Sequence, residues 1–204
     1  MQTDEELVRC HLLGDEAAFP QLVHRYIRPL YNLAQRSTGN AMEAENIVQE
    51  TFTRACVALS RGHAPDAFRP WLFTIAVNLC RNRARRARRE ALASPHASAE
   101  EPGSALERLP DPTPGPLEAL LAAEDREALE RAVAALPLPY REAVILRYVE
   151  GLSYDELAQV LDLPVNTVRS HLHRAKERLR LALRQQVRER DGLPGGAAAS
   201  GCPA

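Results

Sequence analysis

From Glu5 to about Arg89 apolar residues recur at steps of three and four, with no alternating run and no Asn-Gly hairpin signal, so this stretch reads as one all-α unit. A first long helix carries the stripe Phe19, Leu22, Val23, Tyr26, Leu30 and Leu33. Asp15 is its predicted N-cap and Ser-Thr-Gly-Asn at 37–40 its stop. Pro20 and Pro29 each lack a backbone donor and predict a late start and a bend. The next helix, AMEAENIVQETFTRACVALSR, places Val48, Phe52, Ala55, Cys56 and Leu59 on one face and Asn46, Gln49, Glu50 and Thr53 on the other. GHAPDAFRP then reads as a loop punctuated by Pro65 and Pro70. In the helix after it, Trp71, Leu72, Ile75, Ala76 and Leu79 share one face, while Thr74, Asn78, Arg81, Asn82 and Arg85 line another.

The pattern breaks after Arg89. Residues 91–116 hold Pro95, Pro102, Pro110, Pro112, Pro114 and Pro116 among small and acidic residues, too little apolar material to fold alone, and predict an interdomain linker. Helical patterning resumes from Leu117 to Leu136, three further helical segments follow, and residues 191–204 read as a disordered tail. The expected organisation is a helical domain at 1–90, the linker at 91–116 and a second helical domain at 117–190.

Within that second domain Ser153 and Glu156 form a capping-box pattern that starts a short helix running through Val160. Asp162, Leu163 and Pro164 turn the chain into another helix, with the apolar stripe Val168, Leu172, Ala175, Leu179 and Leu183. A short helix, a tight turn and a basic helix make a helix-turn-helix. Asn166, Thr167, Arg169, Ser170, His173 and Arg174 lie near the start of the second helix and off its apolar stripe, where such a helix meets base edges and phosphates. Arginine can present paired donors to guanine and asparagine can pair with adenine, each good bidentate contact worth about 1–3 kcal/mol of discrimination.

Composition changes the picture in two places. The net charge is only −1, so basic character matters by location: six arginines, Arg81, Arg83, Arg85, Arg86, Arg88 and Arg89, crowd residues 81–89. The four cysteines, Cys10, Cys56, Cys80 and Cys202, show no metal-ligand spacing and predict a reduced, intracellular chain. His171 and His173 lie two apart on a helix and point in different directions, so neither metal nor cofactor is expected. No phosphate-cradling glycine loop, nucleophile elbow or H-E-x-x-H helix supports a catalytic reading. An acidic N-terminus and the lack of a long apolar run predict neither signal peptide nor membrane insertion.

Two blocks carry a family resemblance. EAENIVQETF with FRPWLFTIAVNLCRNRARR, and LPLPYREAVILRYVEGLSYDELAQVLDLPVNTVRSHLHRAKERLR, resemble regions 2 and 4 of the extracytoplasmic-function sigma factors, small bacterial sigma subunits of RNA polymerase. The resemblance covers most of residues 5–184 and implies a sigma factor with no enzymatic activity of its own. It implies docking on the polymerase clamp helices through Asn46, Gln49, Glu50 and Thr53, a face that spacing alone leaves as an ordinary solvated one; the family often has aspartate where this chain has Asn46. It implies capture of the melted, non-template minus-ten strand by Thr74, Asn78, Arg81, Asn82 and Arg85, with Asn78 and Asn82 reading an extruded base. It further implies reading of the duplex minus-thirty-five element by Asn166, Thr167, Arg169, Ser170, His173 and Arg174, with region 4 held on the polymerase flap. An anti-sigma factor, which in relatives can hold the protein at the membrane, is an implied partner, and the cytoplasm the implied location.

The linker can span such a promoter. Its 26 residues reach at most ~90 Å extended and average nearer ~30 Å as a coil, against ~34–36 Å per turn of duplex. The acids Glu100, Glu101, Glu107 and Asp111 suit a channel built for nucleic acid or simply a soluble linker. The competing expectation is a regulator that binds duplex operators as a dimer through residues 137–184 alone.

Overall fold

The computed structural model describes residues 2–93 and 116–190, which hold eight α-helices and no strand. The helices are α1 (Asp4–Leu12), α2 (Ala18–Thr38), α3 (Ala41–Ser60), α4 (Phe68–Ala93), α5 (Pro116–Ala134), α6 (Leu138–Val144), α7 (Tyr154–Leu161) and α8 (Val165–Arg190). A π-helical turn, Ile145–Val149, follows α6. The all-α expectation holds. The acidic stretch of the linker, Glu100 to Asp111, the tail at 191–204 and Cys202 lie outside the described residues.

Local chemistry sets the helix starts. In α1 the Glu6 N–H donates to Thr3 Oγ1 at 3.2 Å and the Thr3 N–H to Glu6 Oε2 at 2.8 Å, a capping box that leaves Asp4, Glu5 and Glu6 at the positive end of the helix dipole. Asp4 accepts from both Arg25 and the Tyr26 hydroxyl, which ties α1 to α2. Asp15 is not the N-cap of α2: its carboxylate accepts from the Ala17 N–H at 2.9 Å, and the helix begins beyond it at Ala18 with no side-chain cap. The late start expected near Pro20 is observed, since α2 begins at Ala18 and holds Pro20 in its first turn, where no N–H is needed; the helix continues through Pro29 to Gly39, which ends it at φ +73°. The expected loop is shorter for the same reason. Helix α4 starts at Phe68, with Pro70 in its first turn.

Helices α1 to α4 pack on one another, and α5 to α8 form a second group around α8. The expected apolar face of α4 is incomplete. Leu72, Ala76 and Leu79 are buried, but so are Phe73, Val77 and Cys80, because α2 and α3 cover one side of α4 while α7 covers another. Helix α6 and the π-turn also rest against α2, so Phe73 and Val77 belong to the same continuous apolar cluster as Leu146, Leu157 and Leu161. The two halves, separate in sequence, are docked through one core.

Candidate functional site

The seam between the halves is laced by arginines. Arg81, on α4, donates from Nε and Nη2 to one oxygen of Glu142, Oε2, at 3.1 and 2.9 Å, and from Nη1 to the Leu161 carbonyl at 3.3 Å. Arg69 donates to the Glu150 carbonyl, and Arg141 reaches back from α6 to the carbonyls of Ser37, at 3.2 Å, and Arg36, at 3.4 Å. The Glu142 side chain is 1 % exposed. Burial pushes its carboxyl above the usual range, although Arg81 pulls the other way. Burial likewise raises Glu150 to about 7 against the opposing pull of Arg69 and Arg36.

The remaining predicted residues of α4 point elsewhere. Asn78, Asn82 and Arg85 are exposed, while Thr74 is half-buried and spends its hydroxyl proton on the Pro70 carbonyl at 2.9 Å. The arginine run is divided by its partners. Arg83 turns toward α3, 3.3 Å from Glu43 and 4.0 Å from Glu50, and Arg86 pairs with Glu90 at 2.7 Å, whereas Arg85, Arg88 and Arg89 are exposed. On α3, Asn46, Gln49 and Thr53 are exposed and share one face with the half-buried Glu50. Glu50 also pairs with Arg54 at 2.6 Å, so this face carries a small network of both charge signs that residue type alone did not reveal.

The helix-turn-helix is built as its sequence requires. The Glu156 N–H donates to Ser153 Oγ at 3.2 Å and the Ser153 N–H to Glu156 Oε2 at 2.7 Å. Asp162 takes the left-handed conformation at φ +54°, which asparagine and aspartate tolerate best among residues with a side chain, and Pro164 precedes α8. Val168, Leu172 and Ala175 bury one face of α8. On the opposite side Asn166, Arg169, Ser170, His173 and Arg174 are exposed, Thr167 is half-buried, and an open groove is lined by Arg169, Ser170, His173 and Arg174. Asn166 accepts weakly from Arg169 at 3.4 Å, and His173 sits 3.5 Å from Glu177.

Sequence reasoning missed the aromatic neighbours of this groove. Tyr154 lies under both Arg147, at 4.8 Å, and Arg169, at 5.6 Å, and Tyr148 lies under Lys176 at 5.5 Å. The signal available was their position just ahead of a basic helix. His171 is turned inward, its ring edge-on to Tyr140 at 5.1 Å, and burial together with Arg174 and Arg81 lowers its pKa. Among the described residues no cluster of histidine, cysteine or acid could hold a metal ion, and no helix is long and apolar enough to cross a membrane.

Comparison with known proteins follows the same division. The family described as Sigma-70 region 2 matches residues 22–90, and that described as Sigma-70, region 4 matches residues 126–179. The chain is 34 % identical to the RNA polymerase sigma-H factor of Pseudomonas aeruginosa, over 92 % of its own length and 97 % of that relative's. It is 36 % identical to the extracytoplasmic-function sigma-E factor of Escherichia coli K12, covering 86 % of this chain and 91 % of that one, and 32 % identical to SigW of Bacillus subtilis, over 84 % and 91 %. Among solved structures it resembles the sigma factor RpoE bound to the anti-sigma factor NepR from Bartonella quintana, with a TM-score of 0.64 and 25 % identity over 81 % of this chain and 96 % of that one. CnrH in complex with the cytosolic domain of CnrY is similar at a TM-score of 0.62 and 28 % identity, over 89 % and 97 %. A region 2 helix bundle and a region 4 helix-turn-helix, in that order and matched along nearly the whole length of such relatives, make this chain a member of the extracytoplasmic-function group of sigma-70 family RNA polymerase sigma factors.

Proposed function

We propose that the protein binds core RNA polymerase in the cytoplasm and directs it to promoters with two elements, acting as a specificity subunit that performs no reaction of its own. The exposed face of α3 at Asn46, Gln49 and Thr53, with Glu50 beside it, is the polymerase-docking surface. On α4, Thr74, Asn78, Arg81, Asn82 and Arg85 hold the melted non-template strand of the minus-ten element, the asparagines reading base edges and the arginines following phosphates. On α8, Asn166, Thr167, Arg169, Ser170, His173 and Arg174 enter the major groove of the minus-thirty-five element.

The observation that carries this reading is a pair of polar surfaces suited to nucleic acid, one on each half of a chain whose relatives are sigma factors along most of their length. Two solved relatives are complexes with a second protein, one of them an anti-sigma factor, which supports an inhibitor of that kind as a partner here. Run-off transcription with purified core polymerase and a broad promoter library tests the function. Promoter-dependent product is expected on adding this protein, and none would overturn the proposal.

A further inference from the structure

Tyr154 stands where three elements of the second half meet. It is the first residue of α7, its backbone fixed by the capping box of Ser153 with Glu156, and it remains exposed. Arg147, from the π-helical turn, lies over its ring at 4.8 Å, and Arg169, from the start of α8, lies over it at 5.6 Å. Arg147 also donates to the Leu152 carbonyl at 2.6 Å, whereas Arg169 donates only weakly to Asn166 Oδ1, at 3.4 Å. Contacts therefore run from the backbone at Leu152 through Arg147 and Tyr154 to Arg169.

A tyrosine exposed at a helix start adds little to a core. What it offers a neighbouring guanidinium is a flat face of partial negative charge. Arginine reads a base by presenting two donors in one plane, so the tilt of that plane decides whether both donors meet the base edge. The long bond to Asn166 is too weak to set the tilt. The ring restrains it before DNA arrives, and less side-chain freedom is then lost on binding. Ser170 and His173, in the same groove, are held from within α8: Ser170 donates to the Asn166 carbonyl at 2.9 Å, and His173 faces Glu177.

We propose that Tyr154 is a positioning residue for promoter specificity, its ring orienting Arg169 for paired contact with one base of the minus-thirty-five element while reading no base itself. This rests on the reading of α8 as the duplex-reading helix. Arg147, fixed to the Leu152 carbonyl, steadies the ring, so the reading arginine is supported from outside its own helix. A similar contact further along α8 supplies a control: Tyr148 lies under Lys176, which is outside the set assigned to the element.

The test uses holoenzyme made with the full-length chain, on single-base variants of the minus-thirty-five element of a promoter that the wild type transcribes. The readout is the discrimination ratio at each position, from which a general loss of activity or of folded protein cancels. Arg169→Ala marks the position that Arg169 reads. There Tyr154→Leu should lower discrimination about two- to fivefold, the range of an exposed cation–π contact, and leave the other positions unchanged. Combined with Arg169→Ala it should lower it no further. Tyr154→Phe, which keeps the ring, and Tyr148→Leu should both retain wild-type ratios. Tyr154→Gln, a second ring-free variant, replaces the leucine variant if that fails to fold. Unchanged ratios without the ring, an even loss at every position, or an equal loss in Tyr154→Phe or Tyr148→Leu overturns the inference alone. If Arg169→Ala alters no base preference, the reading of α8 falls and the inference with it.

Discussion

Arg81 and Glu142, 61 positions apart in sequence, join the two halves of the chain through two hydrogen bonds onto one carboxylate oxygen. Because Glu142 is almost wholly buried, removing its partner leaves a charge in the seam at a cost of about 3–5 kcal/mol. The chain can avoid that cost by opening. Arg81→Ala is therefore expected to enlarge the radius of gyration at pH 7 with helix content preserved by circular dichroism. Lowering the pH should move the same variant back toward the closed form, since burial raises the Glu142 carboxyl and its neutral form carries no charge into the seam; a radius that does not respond to pH would show that the pair does not hold the halves together.

The second acid of the seam sets a pH dependence with a definite sign. Docking raises the Glu150 carboxyl from its ordinary value to about 7, against the pull of Arg69 on α4 and Arg36 on α2. A group whose pKa is raised by docking favours the docked state fully below its ordinary value, and that contribution is lost as pH rises through about 7. The closed fraction, followed by scattering or by fluorescence transfer between labels on α4 and α7, should fall between pH 6 and pH 8. Glu150→Gln should flatten that fall, and an unaltered pH profile in the variant would exclude Glu150 as its source.

On α8 the two classes of contact separate by their response to sequence and salt. Arg169→Ala should cost about 1–3 kcal/mol and relax preference at one position of the minus-thirty-five element. Arg174→Ala should weaken binding evenly across sequences and reduce the salt slope by about one. Measured with holoenzyme on a panel of single-base promoter variants, an even loss for both would place Arg169 on phosphate as well.

The arginine run on α4 is divided by geometry, and its mutants should divide too. Arg85 is exposed one turn beyond Arg81 and next in line after Asn78 and Asn82, whereas Arg83 and Arg86 are engaged with glutamates. Arg85→Ala should reduce open-complex formation more than Arg88→Ala or Arg89→Ala. Equal losses that vanish together in a salt titration would show the run to be general charge.

The helix-turn-helix was legible residue by residue, because its signals are local: Ser153 with Glu156, Asp162 with Pro164, and a buried stripe at Val168, Leu172 and Ala175. The exposed positions of α3 and α8 were legible for the same reason. Asp15 misled because an aspartate near a helix start satisfies either a cap or a turn, and only the backbone decides between them. The seam had no local signature. Periodicity can report that α4 has apolar residues on several sides, but it cannot say that α7 covers one of them or that Glu142, in the unremarkable run YREAV, meets Arg81. Non-local pairing of two helical groups depends on shape and charge across the fold, which no window along the sequence contains.

The most direct measurement is selection from a randomised promoter library by holoenzyme assembled from core polymerase and this protein, with the transcribed templates sequenced. The account predicts two preferred elements at fixed spacing of one to two duplex turns, the upstream preference altered by Arg169→Ala and the downstream by Asn82→Ala. Recovery of a palindromic duplex site, bound equally well by the protein as a dimer without polymerase, would contradict it.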